Sequence, residues 1–182
     1  MFRKRQSPSK PAATDQTADE SGITFAWRTH SAITDWTAKV DTKAAIVLSL
    51  GGLLLGFLVT LSGHGRILSG LHGWTLALER AGLSISILGV LLASLVVAPR
   101  LNRRQARSTW RENLVYFGHL RYWDPRDLAD KLRSLNDDQQ ITILAAQLVA
   151  TSKIAWRKHR LLQLSMLCLI AGTALVALAA TF

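Results

Sequence analysis

The chain has 182 residues, 49% of them hydrophobic, with 22 Lys and Arg against 12 Asp and Glu. That length allows one domain with at most a tail. So much apolar sequence beside a basic excess is unusual in a soluble domain and ordinary in a small membrane protein. The one cysteine, Cys168, lies in an apolar run, which excludes an internal disulfide framework and leaves the thiol a packing role.

Residues 1–22 carry two prolines, several Ser and Thr and scattered charge, and predict a disordered tail. No apolar run follows Arg3–Arg5, so no signal peptide is expected. From Ile33 the pattern is helical: Ile33, Trp36, Val40 and Ala44 share one face, and Asp35 precedes Lys39 by four positions. Residues 44–61, AAIVLSLGGLLLGFLVTL, contain no charge and are long enough to cross a hydrocarbon core. Within them Gly52 and Gly56 form a G-x-x-x-G pair suited to close helix contact.

Glycine-marked residues 62–80 read as a loop, with Trp74 at an interface. A second span is predicted over residues 81–98, beginning as early as Trp74, with Glu79 solvated at its outer end. Pro99 ends or kinks it, and the basic cluster Arg100, Arg103, Arg104, Arg107 follows.

Residues 99–160 are polar and helical in pattern. Trp110, Leu114 and Phe117 are expected on one helix face, with Gly118 capping its C-terminus. Asp124-Pro125 is an N-cap and first-turn pair, followed by the stripe Leu128, Leu132, Leu135. Asn136 to Gln139 fits a second capping pattern. No Gly or Pro occurs from Asp137 until Gly172, so one long helix is expected to run from water into a third span over residues 161–181.

The fold class read from this pattern is an all-α membrane protein of three transmembrane helices, with a helical cytoplasmic segment between spans two and three. Seven basic residues precede the first span, two lie between the first and second, and thirteen lie between the second and third. The positive-inside rule then places the N-terminus and residues 99–160 in the cytoplasm. The basic clusters are juxtamembrane, where attraction to anionic lipid at about 1 kcal/mol per cation accounts for them without nucleic acid.

No phosphate-binding, zinc-protease, serine-hydrolase or C-x-x-C motif is present, and the five histidines have no metal-ligand spacing. The expectation is therefore no enzyme, no catalytic residue, no metal and no cofactor. Groups able to hold a small anion with a base are Asp41 and Lys43 at the mouth of the first span, Arg103, Arg104 and Arg107, the aromatic run Tyr116-Phe117-Gly118, and Gln147 and Lys153 on the long helix. Plainer roles stay open for each. Tyr116 and Phe117 suit bundle core, Gln147 and Lys153 suit solvated helix positions, Lys43 suits snorkelling, and Asp41 suits pairing with a cation on a neighbouring helix.

VDTKAAIVLSLGGLLLGFLV entering the first span, VYFGHL at Val115–Leu120, DPRDLADKLRSL, and a long helix with Gln147 and Lys153 before the last span come in an order that resembles the Pycsar membrane effectors. The resemblance runs from Ile33 to the C-terminus. It implies a non-enzymatic effector of the inner membrane, activated by cyclic CMP or cyclic UMP from a neighbouring pyrimidine cyclase. Such an effector impairs the membrane so that the infected cell dies before phage are released. A homo-oligomer is expected of it. The rival expectations are a membrane adaptor that tethers or regulates a cytoplasmic enzyme, and a constitutive small channel.

Overall fold

The structure is a computed structural model that describes residues 21–63, 68, 71–98, 110–111 and 114–181. The predicted tail lies outside the described residues except for its last two. So does the cluster Arg100–Arg107. The described residues contain no strand; they form α1 (Gly22–Leu61), α2 (Trp74–Val97), α3 (Phe117–Leu120), α4 (Pro125–Arg133) and α5 (Asp137–Ala179).

Helix α1 begins well before Ile33, at a local signal. The Ser21 hydroxyl accepts from Thr24 N–H at 3.3 Å and caps the first turn. Its polar half then disposes of its own hydroxyls: Thr29, Thr34, Thr37 and Thr42 each donate to the carbonyl four residues back, at 2.8–3.0 Å. Helix α2 starts after Gly73, whose φ of 59° favours glycine. It stops at Val97 because Ala98 precedes proline and is extended, with ψ 127°. Both predicted caps are present. Asp124 accepts from Arg126 N–H at 2.9 Å, and Asn136 and Gln139 form a reciprocal capping box at 2.8 and 3.3 Å.

Helices α1 and α5 run parallel and keep step along their length. Gly22 lies beside Ile141, Asp41 beside Lys158, and Gly51 beside Leu169, while Leu58 packs with Val176. Helix α2 is antiparallel to both: Gly82 meets Gly172, Gly89 meets Ser165, and Val96 packs with Ala44 and Leu162. At 24 residues α2 is about 36 Å long, whereas α1 and α5, at 40 and 43, approach or exceed 60 Å. The result is a three-helix bundle of apolar halves from which α1 and α5 extend together as a charged two-helix stalk.

The inward positions follow a coiled-coil period. In α1 they are Ala26, His30, Ile33, Thr37, Val40, Ala44, Val47, Gly51, Leu54 and Leu58, in alternating steps of four and three. In α2 they are Thr75, Glu79, Gly82, Ser86, Gly89, Ala93 and Val96, and in the apolar half of α5 Leu162, Ser165, Leu169, Gly172, Val176 and Ala179. A 3.5-residue period keeps one seam facing its partners over many turns. Trp36 departs from the face expected to hold it with Ile33, Val40 and Ala44: it is 64% exposed, and the stripe passes through Thr37.

Small residues set the α2–α5 distance. A Cβ on Gly82 would fall 2.7 Å from Gly172 O, and one on Gly172 would fall 2.6 Å from Gly82 O, so the two backbones touch. Gly52 and Gly56, predicted as helix-contact residues, have nothing within 4 Å of an added Cβ, so among the described residues no other helix packs on them.

Candidate functional site

The ion pair between Asp41 and Lys158 marks the junction of stalk and bundle. The Lys158 ammonium donates to both carboxylate oxygens, at 2.6 and 2.7 Å. Asp41 lies one turn before the first uncharged stretch of α1, and Lys158 lies just before the last span in α5. Directly below them Ala44, Val96 and Leu162 form a buried apolar cluster, with Val40, Val47 and Leu161 packed around it. The pair and the layer beneath it join the two stalk helices where they enter the bundle. Lys43, expected beside Asp41, is exposed and points away from the seam. Sequence spacing does not single out Lys158 as the cation for Asp41, because the two residues are 117 positions apart.

The aromatic run takes a different form from the one expected. Tyr116 is the extended N-cap residue of α3, with φ −83° and ψ 123°, so Phe117-Gly118 opens a helix instead of closing one. Gly118 is buried inside α3 because the Tyr116 ring folds onto it, leaving no room for a side chain. Tyr116 also packs against Phe117 at 4.7 Å and His119 at 5.3 Å between centroids. Phe117 is 66% exposed, so it is not bundle core and its ring is open for stacking. Nearby, Trp110 and Trp123 meet edge-on at 5.0 Å, and Trp123 Nε1 donates to Trp110 O at 3.2 Å.

On α5, Gln147 is buried on the seam side while Lys153 is exposed. The structure therefore does not bring these two candidates together. Lys153 instead borders an open groove of about 420 Å³ with Trp156, Arg157 and Arg160. Arg103, Arg104 and Arg107 lie outside the described residues.

Glu79 is the residue that sequence reasoning placed wrongly. It is 2% exposed, on the α2 seam, and not solvated. Ser62, the C-cap residue of α1, donates its hydroxyl to Glu79 Oε1. The other oxygen lies 3.4 Å from Arg80 Nε and accepts no hydrogen bond. The available signal was its place three residues before Gly82 and seven before Ser86, on one seven-residue repeat.

Three helices of this length and apolarity define a multi-pass α-helical membrane protein. Among the described residues no group of His, Cys, Asp and Glu has the arrangement of a metal site. The family model for the Pycsar effector protein domain matches residues 25–182, and the chain belongs to that family. Membership of it marks the chain as an effector of antiphage defence. No curated protein and no solved structure matches the chain.

Proposed function

We propose that the protein is a cyclic-pyrimidine-nucleotide-activated effector that impairs the inner membrane of an infected cell and so aborts infection. In this reading it acts as a homo-oligomer, and the cyclic CMP or cyclic UMP comes from a neighbouring cyclase. The N-terminus and residues 99–160 face the cytoplasm, as the seven, two and thirteen basic residues flanking the spans indicate. The observation that carries the reading is the continuity of α1 and α5 from the charged stalk into the apolar bundle, tied at the boundary by Asp41 and Lys158. A ligand held by the stalk side acts on both spans through covalently continuous helices. Family membership supports the defence role.

The ligand carries one negative charge and a flat base. Lys153, exposed beside Arg157 and Arg160, supplies the cationic contact, with Arg103, Arg104 and Arg107 as further candidates, and Phe117 offers an open ring. Moving a population from mostly resting to mostly active requires a difference in affinity between the two states of about 5.5 kcal/mol. Several charge-assisted hydrogen bonds at about 1.5–3 kcal/mol each reach that total when they form only in the active state.

Depolarisation of vesicles carrying the protein, with cyclic CMP, cyclic UMP, cyclic AMP or no nucleotide, tests the reading. Leakage is expected only with a cyclic pyrimidine nucleotide, and Lys153→Ala should raise the concentration required. Equal leakage in all four conditions would refute ligand activation and leave a constitutive channel.

A further inference from the structure

The bundle hides a line of polar groups in what should be its driest part. The buried side chains of α2 and α5 include Glu79, Ser86 and Ser165, with exposures of 2%, 0% and 0%. All three lie on the helix–helix seam. A carboxylate in a membrane-spanning bundle is costly to keep and is a functional group by default. Ser86 adds a second anomaly: its hydroxyl is buried, makes no hydrogen bond, and lies against Gly172. A serine in a helix ordinarily satisfies itself on a carbonyl of the preceding turn, as Ser84 does on Arg80 O at 2.9 Å.

These groups are ordered along the bundle. At the end away from the stalk, Ser62 donates to Glu79. One turn deeper the carbonyl of Gly82 faces Gly172. Ser86 follows, and then Ser165, whose hydroxyl donates to Gly89 O at 2.7 Å. From Glu79 to Gly89 the seam covers about 15 Å, roughly half a hydrocarbon core. Beyond it Ala93 and the Ala44–Val96–Leu162 cluster contain no polar side chain, and beyond that cluster stands the Asp41–Lys158 pair. Acidic groups thus stand near both ends, with oxygen ligands through one half of the interior and an apolar plug in the other.

We propose that this seam is a closed path for small monovalent cations, and that the membrane is impaired by ions crossing the protein's own three-helix interior. This rests on the membrane-impairing reading above. Every group the seam offers an ion is an oxygen: the Glu79 carboxylate, the Ser86 and Ser165 hydroxyls, and the Gly82 and Gly89 carbonyls. Such oxygens replace the hydration shell of a cation, and the carboxylate and the carbonyls disfavour an anion. The lysine at the stalk end is paired with Asp41, and at the other end Arg80, 74% exposed with its Nε 3.4 Å from Glu79 Oε2, stands at the mouth of the seam, where an entering cation displaces it. The path is shut because the Gly82 and Gly172 backbones touch and because the Ala44–Val96–Leu162 layer excludes water. Apolar constrictions of this kind gate by dewetting. Helix α5 carries both the plug residue Leu162 and, one turn before it, Lys158 of the ion pair. A movement of the stalk helices that shifts α5 against α2 opens plug and seam together.

The experiment uses vesicles containing the full chain, loaded with a potassium-sensitive dye, a proton-sensitive dye or carboxyfluorescein, and exposed to cyclic CMP or cyclic UMP. The wild-type chain should pass potassium or protons and retain carboxyfluorescein. Glu79→Gln should lower that cation flux about tenfold, as expected when the one charged ligand on a path is lost, with Glu79→Asp restoring part of it. Ser86→Ala, which removes an unpaired hydroxyl without adding bulk, should lower it several-fold, and the exposed Ser84→Ala should not. Reconstituted amount and thermal unfolding are measured on each variant. Undiminished flux in both Glu79→Gln and Ser86→Ala overturns the path alone, as does release of carboxyfluorescein together with the ions. No flux from the wild-type chain with either nucleotide overturns the membrane-impairing reading, and the path with it.

Discussion

A single methyl group at Gly172 should separate two helices. The Cβ of Gly172→Ala would sit 2.6 Å from Gly82 O and 2.8 Å from Ser86 N, and would also press on the Ser86 hydroxyl. Two of those three atoms are backbone, so no rotamer relieves the clash. Ordinary contact requires α2 and α5 to part by about 1 Å. Overpacking of this kind costs about 1–3 kcal/mol. The same substitution at Gly52 meets nothing within 4 Å, and alanine is the better helix former by up to about 1 kcal/mol. Titration of the detergent-solubilised protein with a denaturing detergent, followed by helical circular dichroism, compares the two directly. Gly172→Ala should unfold earlier by that amount, and Gly52→Ala should unfold at the same point or later. Equal shifts, or a larger one at Gly52, would mean that α2 and α5 do not approach at Gly82 and Gly172.

The stalk pair should be coupled. In a double-mutant cycle on unfolding, Asp41→Ala and Lys158→Ala should show an interaction energy of about 1 kcal/mol, moderate because both side chains keep some solvent contact; strictly additive effects would argue against the pair. Orientation is read by single cysteines at the exposed positions His72 and Ser134 in a Cys168→Ala background. A membrane-impermeant maleimide should label position 72 in intact cells and position 134 only after permeabilisation, and the opposite pattern would reverse the topology. Replacing Gly52 and Gly56 together by Leu should reduce cross-linked oligomers while leaving insertion intact, since among the described residues no other helix packs on either glycine. Unchanged cross-linking would remove these glycines from any interface between copies.

Local chemistry made much of the fold legible. Uncharged runs of span length, Asp124-Pro125, the Asn136–Gln139 capping box and the long interval without Gly or Pro before Gly172 each act within a few residues, so the chain alone determined three membrane helices, α4 and the continuity of α5. The polar start of α1 was harder to read. Its helical pattern reads only from Ile33, whereas the helix starts at Gly22 behind the Ser21 cap.

Tertiary packing decided the rest, because partners brought together from distant positions cannot be read from spacing. Asp41 was visible as an acid at the mouth of a span, but only folding chose Lys158 for it and turned Lys43 away. Glycine pairs show the same limit. Gly52 and Gly56 carry the recognisable motif, yet the helices meet at Gly82, Gly89 and Gly172, because contact depends on which face a partner covers. Gly118 looked like a helix stop and instead makes room for the Tyr116 ring. Glu79 shows how far the environment can change a residue's role. Its sequence neighbours suggest an interface with water, and the seven-residue repeat of α2 turns it into the bundle, where Ser62 receives it.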